Sequence, residues 1–295
     1  MQEMTKTEHG LGNATYSSFA KWREARLANR ETRPVAFVPT MGALHAGHAA
    51  LIRRARAARE SGCEVVVSVY VNPTQFNDSD DFDAYPTAHE QDAVLAFSAG
   101  ADTVVFPTAL ELYPSGVPKR AEVVDYGELT NLWEGANRPG HFDGVVAVVR
   151  SLFAQVQPEC AFFGEKDWQQ LAVIQRLADT EFVGLDIVAV STQRENNGLA
   201  MSSRNARLSE SERKRAGKLH AVMLDVANAE DVLQALNNAE LTLKSAGFEL
   251  EYLSLVDEVS MCASLDPKPS DRLIVAANFC GVRLIDNLSL VDTCP

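Results

Sequence analysis

The feature that most constrains this chain is the alternation of short apolar segments with helical patterns over its first 190 residues or so. Apolar, β-branched runs predict strands at 35–38, 64–71, 102–107, 160–163 and 185–191, and helical patterns lie between them at 48–59, 88–99, 143–156 and 167–179. Alternation of this kind predicts βαβ units, a parallel sheet and right-handed crossovers. The run EVVVSVYV at 64–71 is apolar at nearly every position, which predicts a strand buried on both faces.

The pattern changes near residue 192. A charged helical run at 209–227 and a second helical pattern at 229–246 precede three predicted strands at 249–256, 272–279 and 282–288. We therefore predict an α/β domain over 1–192 and a smaller α+β domain over 193–295. A (β/α)8 barrel is the alternative fold, but too few strands precede the change for a closed barrel.

Composition excludes several classes of protein. The net charge is −13, from 27 Lys and Arg against 40 Asp and Glu, so we expect no broad binding to nucleic acid. The five cysteines are scattered without a CxxC pair, which is typical of reduced thiols. The polar first residues hold no apolar signal region and no run reaches membrane-spanning length, so we expect a cytoplasmic protein without a membrane partner.

The segment PTMGALHAGH, residues 39–48, follows the first strand and opens a helix. Ligands of open α/β sheets bind at the carboxyl ends of strands, and the amino end of a helix favours anions. His45 and His48, with the small Gly47 between them, can present imidazole N–H donors to a phosphate whose charge grows during transfer. The alternatives are ordinary capping residues or metal ligands, but no third ligand lies nearby in sequence.

Three other segments carry polar groups suited to anions or to hydroxyl groups. Ser202, Ser203 and Arg204 follow Met201 in a polar loop, although a helix-cap role for either serine is equally compatible. The segment GEKDWQQ, residues 164–170, places a cation where a strand meets a helix. The segment VNPTQF, residues 71–76, offers neutral amides, although Asn-Pro alone is typical of a turn.

A fifth segment, WEGANRPGHF at 133–142, is rich in Gly and Pro and predicts a loop that shapes a pocket wall. Glu134 could pair with Lys166 or another cation, and His141 could orient the loop. Asn196, Asn197 and Gly198 predict a turn, so the 196–205 segment is a candidate closing loop.

Taken in chain order over residues 35–288, the segments PTMGALHAGH, VNPTQF, EGANRPGHF, FFGEKDWQQL and GLAMSSRN and the late run RLIDN resemble the pantothenate synthetase family. The resemblance implies a Rossmann-like amino-terminal domain, a smaller lid domain and a homodimer. It also implies condensation of pantoate with β-alanine, using ATP and Mg²⁺, through an enzyme-bound pantoyl adenylate. Histidine motifs of this kind are shared with nucleotidylyl transferases and class I aminoacyl-tRNA synthetases.

The resemblance assigns a role to individual residues. Those implied to act on the ATP phosphates are His45, His48, Lys166, Ser202, Ser203 and Arg204. Pantoate would be held by Asn72, Gln75 and Gln170, with Pro39, Thr40 and Met41 lining the same pocket beside the ATP site. Gly164 and Asp167 would contact the nucleoside, Gly47 and Met201 would border the ATP site, and Asp92 would handle magnesium and β-alanine.

The sequence departs from the family pattern at Thr74, Thr87, Ser191 and Asn197, which leaves the acid specificity open. Two rival functions also remain open. A nucleotidylyl transferase would share the histidine motif without needing the amides, and a regulatory nucleotide-binding subunit would bind ATP without turnover. The intact His, Lys and Arg positions disfavour the second, and the acidic charge disfavours a tRNA-charging role.

Overall fold

The computed structural model describes residues 13–58, 62–77 and 82–290. Its first half comprises β1 Ala14–Tyr16, α1 Phe19–Ala28, β2 Val35–Thr40, α2 Ala46–Ala58, β3 Glu64–Val69, α3 His89–Ala99, β4 Thr103–Val105, α4 Ala109–Leu112, α5 Glu128–Asn131, α6 Glu134–Asn137 and α7 His141–Val156. Its second half comprises β5 Cys160–Gly164, α8 Trp168–Glu181, β6 Asp186–Val190, α9 Glu210–Ala216, α10 Lys218–Ala227, α11 Val232–Ser245, β7 Glu249–Asp257, β8 Asp271–Phe279 and β9 Val282–Ser289. Short 3₁₀ helices lie at Pro73–Gln75, Glu165–Asp167 and Ser203–Arg207.

The larger sheet has the strand order β1-β4-β3-β2-β5-β6 and is parallel. The register of its centre aligns Val35 with Glu64 and Thr40 with Val69. The predicted α/β class is thus confirmed, and the sheet is open, with β1 and β6 at its edges, rather than closed into a barrel. Strand β3 is buried along its whole length, as its apolar sequence predicts.

The predicted strand at 64–71 ends two residues early, at Val69. The chain turns there into the 3₁₀ helix that Pro73 opens, and proline has no N–H to donate to a sheet. Strand β1 was not predicted, because three residues are too few to show a period. It adds to the sheet by pairing Ala14 with Thr103 of β4.

The chain divides into two compact units. Unit 1 comprises residues 1–122, 143–163 and 177–190, and unit 2 comprises 123–142, 164–176 and 191–295. Two inner segments, 123–142 and 164–176, therefore group with the carboxyl-terminal residues. The core of unit 1 packs fully buried side chains of the sheet, such as Val67 and Phe162, against Ile52 of α2.

Unit 2 contains an antiparallel sheet of order β7-β8-β9, which confirms the three predicted strands. Helices α10 and α11 supply Met223 and Leu243 to its core, where both side chains are fully buried. Phe248 and Phe279 stack there with ring centroids 4.4 Å apart. Alternating side chains of β8 and β9 face this core, as a strand period of two requires.

Within the described residues, no helix combines the length and the apolar character that a membrane crossing needs. The four described cysteines, Cys63, Cys160, Cys262 and Cys280, are all free thiols, and Cys294 lies outside the described residues. Burial raises the pKa of Cys160 to about 11, so its thiolate is scarce at neutral pH.

Candidate active site

The order of the larger sheet reverses beside β2: β3 and β4 lie on one side of it, and β5 and β6 on the other. The crevice outside the carboxyl end of a strand at such a switch point is where open α/β sheets bind ligands. The chain leaves β2 at Thr40, whose Oγ1 donates to the Ser68 carbonyl at 2.8 Å and accepts from the Gly42 amide at 3.3 Å. The segment predicted from the sequence therefore occupies this position.

A strained turn joins β2 to α2. Gly42 and Ala43 have φ angles of +87° and +49°, and only glycine adopts such values without steric cost. The buried carboxylate of Asp92 holds the turn, because it accepts the Ala43 amide at 3.2 Å and the Leu44 amide at 2.7 Å. Strain held in this way by surrounding groups is characteristic of ligand-binding segments.

The two histidines cap the amino end of α2 reciprocally. The Nδ1 of His45 accepts from the Gly47 amide at 3.1 Å, and the Nδ1 of His48 accepts from the His45 amide at 3.2 Å. The rings lie with their centroids 4.2 Å apart. The arrangement resembles a capping box with imidazole nitrogens as acceptors, except that His45 accepts from the second residue of α2 rather than from the third.

Capping decides which nitrogen of each ring carries the proton. A nitrogen that accepts a hydrogen bond holds no proton, so the neutral rings of His45 and His48 carry theirs on Nε2. The caps and the predicted phosphate donors are therefore the same side chains, with one ring nitrogen for each task. The capping alternative and the functional one do not exclude each other.

Asn72 is buried and its carboxamide is fully engaged inside unit 1. Its Nδ2 donates to Gln75 Oε1 and to the Gly144 carbonyl, each at 3.1 Å. Its Oδ1 accepts from the Tyr113 hydroxyl at 2.8 Å and from the Thr74 hydroxyl at 3.0 Å. Asn72 thereby fixes the 72–75 turn, and the threonine that departs from the family pattern joins the same cluster.

Gln75 connects this cluster to the segment that follows β2. Its Nε2 lies 3.1 Å from the Met41 sulfur, while its Oε1 accepts from Asn72. The structure thus brings together three residues predicted to hold pantoate, Met41, Asn72 and Gln75. Gln170, the fourth, lies in the first turn of α8 within unit 2 and is half-buried.

The GEKD segment begins where β5 ends. Lys166 donates from Nζ to Asp167 Oδ1 at 3.2 Å, and its side chain is 18% exposed. Gly164 has an ordinary extended conformation, φ −81° and ψ 136°, and a Cβ at this position would meet nothing within 4 Å. Gly164 therefore forms no turn that requires glycine, and the space that a side chain would occupy stays open.

The segment SSRN, residues 202–205, follows a small hairpin in unit 2. Arg194 and Ala200 pair across it, and Gly198, with φ +88°, forms the predicted turn. Ser202 caps the 3₁₀ helix Ser203–Arg207 by accepting the Arg204 amide at 3.3 Å, which confirms the capping alternative for that serine.

Unit 2 also contains several arginine side chains whose charges interact. Burial, followed by the charges of Arg283 and Arg204, lowers the pKa of Arg138, so the three guanidinium groups interact electrostatically. Glu134 balances part of that charge by accepting from Arg283 at 2.6 and 2.9 Å and from the Tyr252 hydroxyl at 2.7 Å. The cations paired with Glu134 are thus two arginines, Arg283 of β9 and Arg138, whose Nη1 lies 3.5 Å from Glu134 Oε2.

One buried polar group of unit 2, the side chain of Gln169, was not identified from the sequence. The carboxamide of Gln169 donates to the carbonyls of Leu129 and Leu132 at 3.0 and 2.9 Å and accepts the Glu134 amide at 3.0 Å. It holds the turn in which Trp133 has a φ of +48°. No local pattern could have identified these three partners, because they lie 35 or more residues from Gln169.

The donor set does not fit a metal ion at Asp92. Both of its carboxylate oxygens accept backbone amides, and the residue is 2% exposed. Among the residues that the structure describes, no group of three or more His, Cys, Asp or Glu side chains could hold a metal. The expectation that Asp92 handles magnesium therefore has a structural alternative, namely support of the Gly42–Ala43 turn.

Comparison with known proteins supplies independent information. Residues 14–289 match the family model described as pantoate-beta-alanine ligase. The pantothenate synthetase of Rhizorhabdus wittichii is 49% identical over 266 residues, which span 87% of this chain and 91% of that protein. The pantothenate synthetase of Acidiphilium cryptum is 43% identical over 270 residues, covering 90% and 95% of the two chains.

Solved structures are similar as well. A crystal structure of pantothenate synthetase from Thermus thermophilus superposes with a TM-score of 0.84 at 42% identity, covering 94% of this chain and 99% of that one. A pantoate-beta-alanine ligase from Francisella tularensis, complexed with beta-gamma ATP and beta-alanine, superposes with a TM-score of 0.77 at 32% identity. That comparison covers 95% of this chain and 98% of the other.

Proposed function

This chain belongs to the pantoate-beta-alanine ligase family, and we propose that it joins its two substrates through an enzyme-bound pantoyl adenylate. It is a ligase that forms an amide bond between pantoate and β-alanine. ATP would be the co-substrate, as the ATP complex of the Francisella tularensis relative suggests. The observation that carries the adenylation step is the reciprocal capping of His45 and His48, which assigns both ring protons to Nε2.

In the first step, a carboxylate oxygen of pantoate attacks the α-phosphorus of ATP, and the bond to the β-phosphate oxygen breaks. Pyrophosphate leaves and pantoyl adenylate remains. Negative charge grows on the phosphate oxygens, and the Nε2–H groups of His45 and His48 donate to them. Preorganised donors of this kind lower the barrier because they need no reorientation during the reaction.

Unit 2 also holds residues that this proposal assigns to the triphosphate of ATP. Lys166, Ser203 and Arg204 bind its oxygens, and Ser202 positions the Arg204 amide through its cap. Gly164 and Asp167 contact the nucleoside, where the absence of a side chain at Gly164 leaves room. The support for these roles is the donor chemistry of each residue together with the family membership.

Pantoate carries hydroxyl groups and one carboxylate, which neutral amides can bind without protonating the carboxylate. Gln75, Gln170 and Met41 contact pantoate in this proposal. Asn72 acts on pantoate indirectly, through Gln75. Its carboxamide is already hydrogen-bonded to Gln75, Gly144, Thr74 and Tyr113. An isosteric change at Asn72 would then act through the position of Gln75.

In the second step, the β-alanine nitrogen attacks the acyl carbon of the adenylate, the amide bond forms and AMP leaves with the oxygen it received from pantoate. No covalent enzyme intermediate is needed. Catalysis then rests on positioning the reactants and excluding water from the adenylate, for which the 196–205 segment and the carboxyl-terminal residues are the candidates.

Magnesium and the homodimer are parts of the proposal that rest on the resemblance, and the cytoplasmic location rests on the polar composition of the first residues. Magnesium would arrive with ATP, bound by phosphate oxygens, and would supply charge neutralisation there. No residue of the described chain is assigned to it. Sedimentation velocity of the purified protein tests the dimer, which would be contradicted by a monomer at every concentration measured.

The decisive experiment uses pantoate labelled with ¹⁸O in its carboxylate, incubated with ATP, Mg²⁺ and β-alanine. An adenylate intermediate transfers one labelled oxygen to AMP, which mass spectrometry detects. An acyl phosphate intermediate would yield ADP and labelled inorganic phosphate instead, and would overturn the proposed step. Formation of ATP from labelled pyrophosphate, dependent on pantoate and independent of β-alanine, would confirm that the first step occurs alone.

Histidine variants provide the matched control. His48→Ala should abolish pantoate-dependent exchange of pyrophosphate, whereas His89→Ala should retain it. His89 is an exposed histidine of α3 that stacks on Phe106 and touches none of the residues assigned here to a substrate. Unimpaired exchange in His48→Ala would remove the histidines from the mechanism and leave the family membership intact.

A further inference from the structure

Two adjacent residues of the run RLIDN have no role in the proposed mechanism, yet both are buried. Asp286 and Asn287 lie near the end of β9, each 4% exposed. They pair in register with Val275 and Ile274 of β8, so the central strand of the sheet fixes their backbone. Because successive side chains of a strand point to opposite faces, the two can hold two different segments.

Asn287 holds the GEKD segment. Its Nδ2 donates to the carbonyls of Glu165 and Lys166 at 2.8 and 2.9 Å, which uses both of its protons. Its Oδ1 accepts from Arg272 Nη1 at 2.6 Å, so a 180° rotation of the carboxamide would break all three hydrogen bonds. Arg272 is itself fixed, because its guanidinium carbon lies 3.5 Å from the ring centroid of Trp168.

Asp286 holds the hairpin that leads into the SSRN segment. Its two carboxylate oxygens accept from Arg194 Nη1 and Nη2 at 2.6 and 3.0 Å, and its side chain is 2% exposed. Burial, followed by the charge of Arg194, lowers the pKa of the neighbouring His220. Arg194 is therefore the cation that pairs with Asp286 at neutral pH.

Arg194 in turn restrains the turn of the hairpin. Its Nη1 also donates to the Gly198 carbonyl at 3.1 Å, which ties the turn to the base of the hairpin. The Met201 amide donates to the Gln193 carbonyl at 2.9 Å. The arm of the hairpin that leads to Ser202 is therefore bonded to the arm that contains Arg194.

We propose that Asp286 and Asn287 are positioning residues that set Lys166 and the Met201–Arg204 segment relative to one another within unit 2. Both segments supply cations to ATP in the proposed function, on which this inference rests. A single rigid dipeptide then fixes two anion-binding segments that are about 35 residues apart in the sequence. Neither residue needs to touch a substrate.

The test is steady-state kinetics of Asn287→Ala and Asp286→Asn with ATP and pantoate varied separately. We expect KM for ATP to rise and kcat to fall, with a combined loss of about 10- to 100-fold in kcat/KM for ATP. KM for pantoate should rise less than KM for ATP, because Met41 and Gln75 belong to unit 1 and only Gln170 follows the GEKD segment in unit 2. The matched control is Asn278→Ala on β8, whose amide donates to the exposed Glu251 and should leave both constants unchanged.

A double-mutant cycle separates positioning from general destabilisation. If Asn287 acts through Lys166, the double variant Lys166→Ala, Asn287→Ala should be no worse than Lys166→Ala alone. Independent, additive losses would overturn the inference, as would equal effects on ATP and pantoate. Should Asn287→Ala fail to fold, the cycle of Asp286→Asn with Arg204→Ala decides the same question at the other segment.

The outcome is distinguishable from a failure of the proposed function. A wild-type protein that forms no AMP from ATP, pantoate and β-alanine would contradict the function itself. An active wild type whose Asn287→Ala and Asp286→Asn variants keep their kcat and KM for ATP would contradict only the positioning role.

Discussion

The Nδ1 of His48 accepts the backbone amide of His45 at 3.2 Å, while the Nδ1 of His45 accepts the amide of Gly47 at 3.1 Å. The two rings lie with centroids 4.2 Å apart, so the cap fixes their mutual orientation as well as their tautomers. In each imidazole, Nδ1 therefore caps the helix and Nε2 is the proposed donor to phosphate. Substitutions that preserve only one of the two can separate these tasks.

We expect His48→Asn to keep the fold and lose activity. The Asn carbonyl oxygen can replace Nδ1 as the acceptor, but nothing replaces the donor at Nε2. The melting temperature should stay close to that of the wild type, while kcat falls by about 10²- to 10³-fold. His48→Gln, whose longer amide reaches the Nε2 position, should retain more activity than His48→Asn. The reverse order in pyrophosphate exchange would contradict the assignment of the donor.

Asp92→Asn distinguishes support of the Gly42–Ala43 turn from metal binding. The variant replaces an oxygen that accepts a backbone amide with an N–H₂ group, and kcat should fall by about 10- to 100-fold because the histidines shift with the turn. The dependence of activity on Mg²⁺ concentration should keep its midpoint. Glu90→Gln, on the exposed face of the same helical turn, is the control. A midpoint that moves to higher Mg²⁺ in Asp92→Asn alone would restore the metal role.

Gly164→Ala tests whether a ligand approaches the end of β5. The added methyl group meets no protein atom within 4 Å, and the φ of −81° suits any residue. The melting temperature should therefore change by less than about 2 °C. KM for ATP should rise by about tenfold, or about 1.4 kcal/mol, if the nucleoside lies against this position. An unchanged KM for ATP would place the nucleoside elsewhere.

Gly144 offers the contrasting variant. A Cβ at this position would lie 2.3 Å from the Thr74 carbonyl oxygen and 2.6 Å from the Gln75 nitrogen, which are backbone atoms that cannot move aside cheaply. Gly144→Ala should therefore displace the 72–75 turn and raise KM for pantoate more than KM for ATP. Equal effects on the two constants would argue against a pantoate role for this turn.

Glu134 links stability to pH. Burial alone would raise its pKa, but the hydrogen bonds and charge of Arg283, with the charge of Arg138, hold the pKa at about 2, below the ordinary 4.5. Its contribution is then complete above about pH 4.5 and is lost toward pH 2, at up to about 1.4 kcal/mol per pH unit. Glu134→Gln should cost about 3 kcal/mol at pH 7, because Arg283 loses a buried partner.

Unfolding curves at pH 7, 4 and 3 check this expectation. The difference between wild type and Glu134→Gln should shrink below about pH 4.5, since the wild type loses its advantage there. Glu240→Gln, which removes an exposed pair with Lys244, should cost less than about 0.5 kcal/mol at every pH. A constant difference over the whole range would exclude Glu134 as the titrating group.

The elements that were predicted correctly share one property: a face, or the whole segment, is buried along several residues. Strand β3 is buried at every position and was evident from its apolar run, and α2 and α8 follow a helical period. Strand β1 and the four-residue helices α4 to α6 were missed, because elements this short contain less than two periods. Helix α1 was missed as well, because Phe19 and Trp22 are its buried residues and two positions make a weak period.

The sequence by itself determined the α/β class, the three strands of unit 2 and the candidate residues at strand ends, because burial imposes a local period and strand ends expose polar groups. Only the tertiary structure decided which partner each buried polar group takes. Tyr113 bonds Asn72 across 41 residues of sequence, and Asn287 bonds the Lys166 carbonyl across 121. Such pairings depend on how distant segments pack, and that packing leaves no periodic trace in either segment alone.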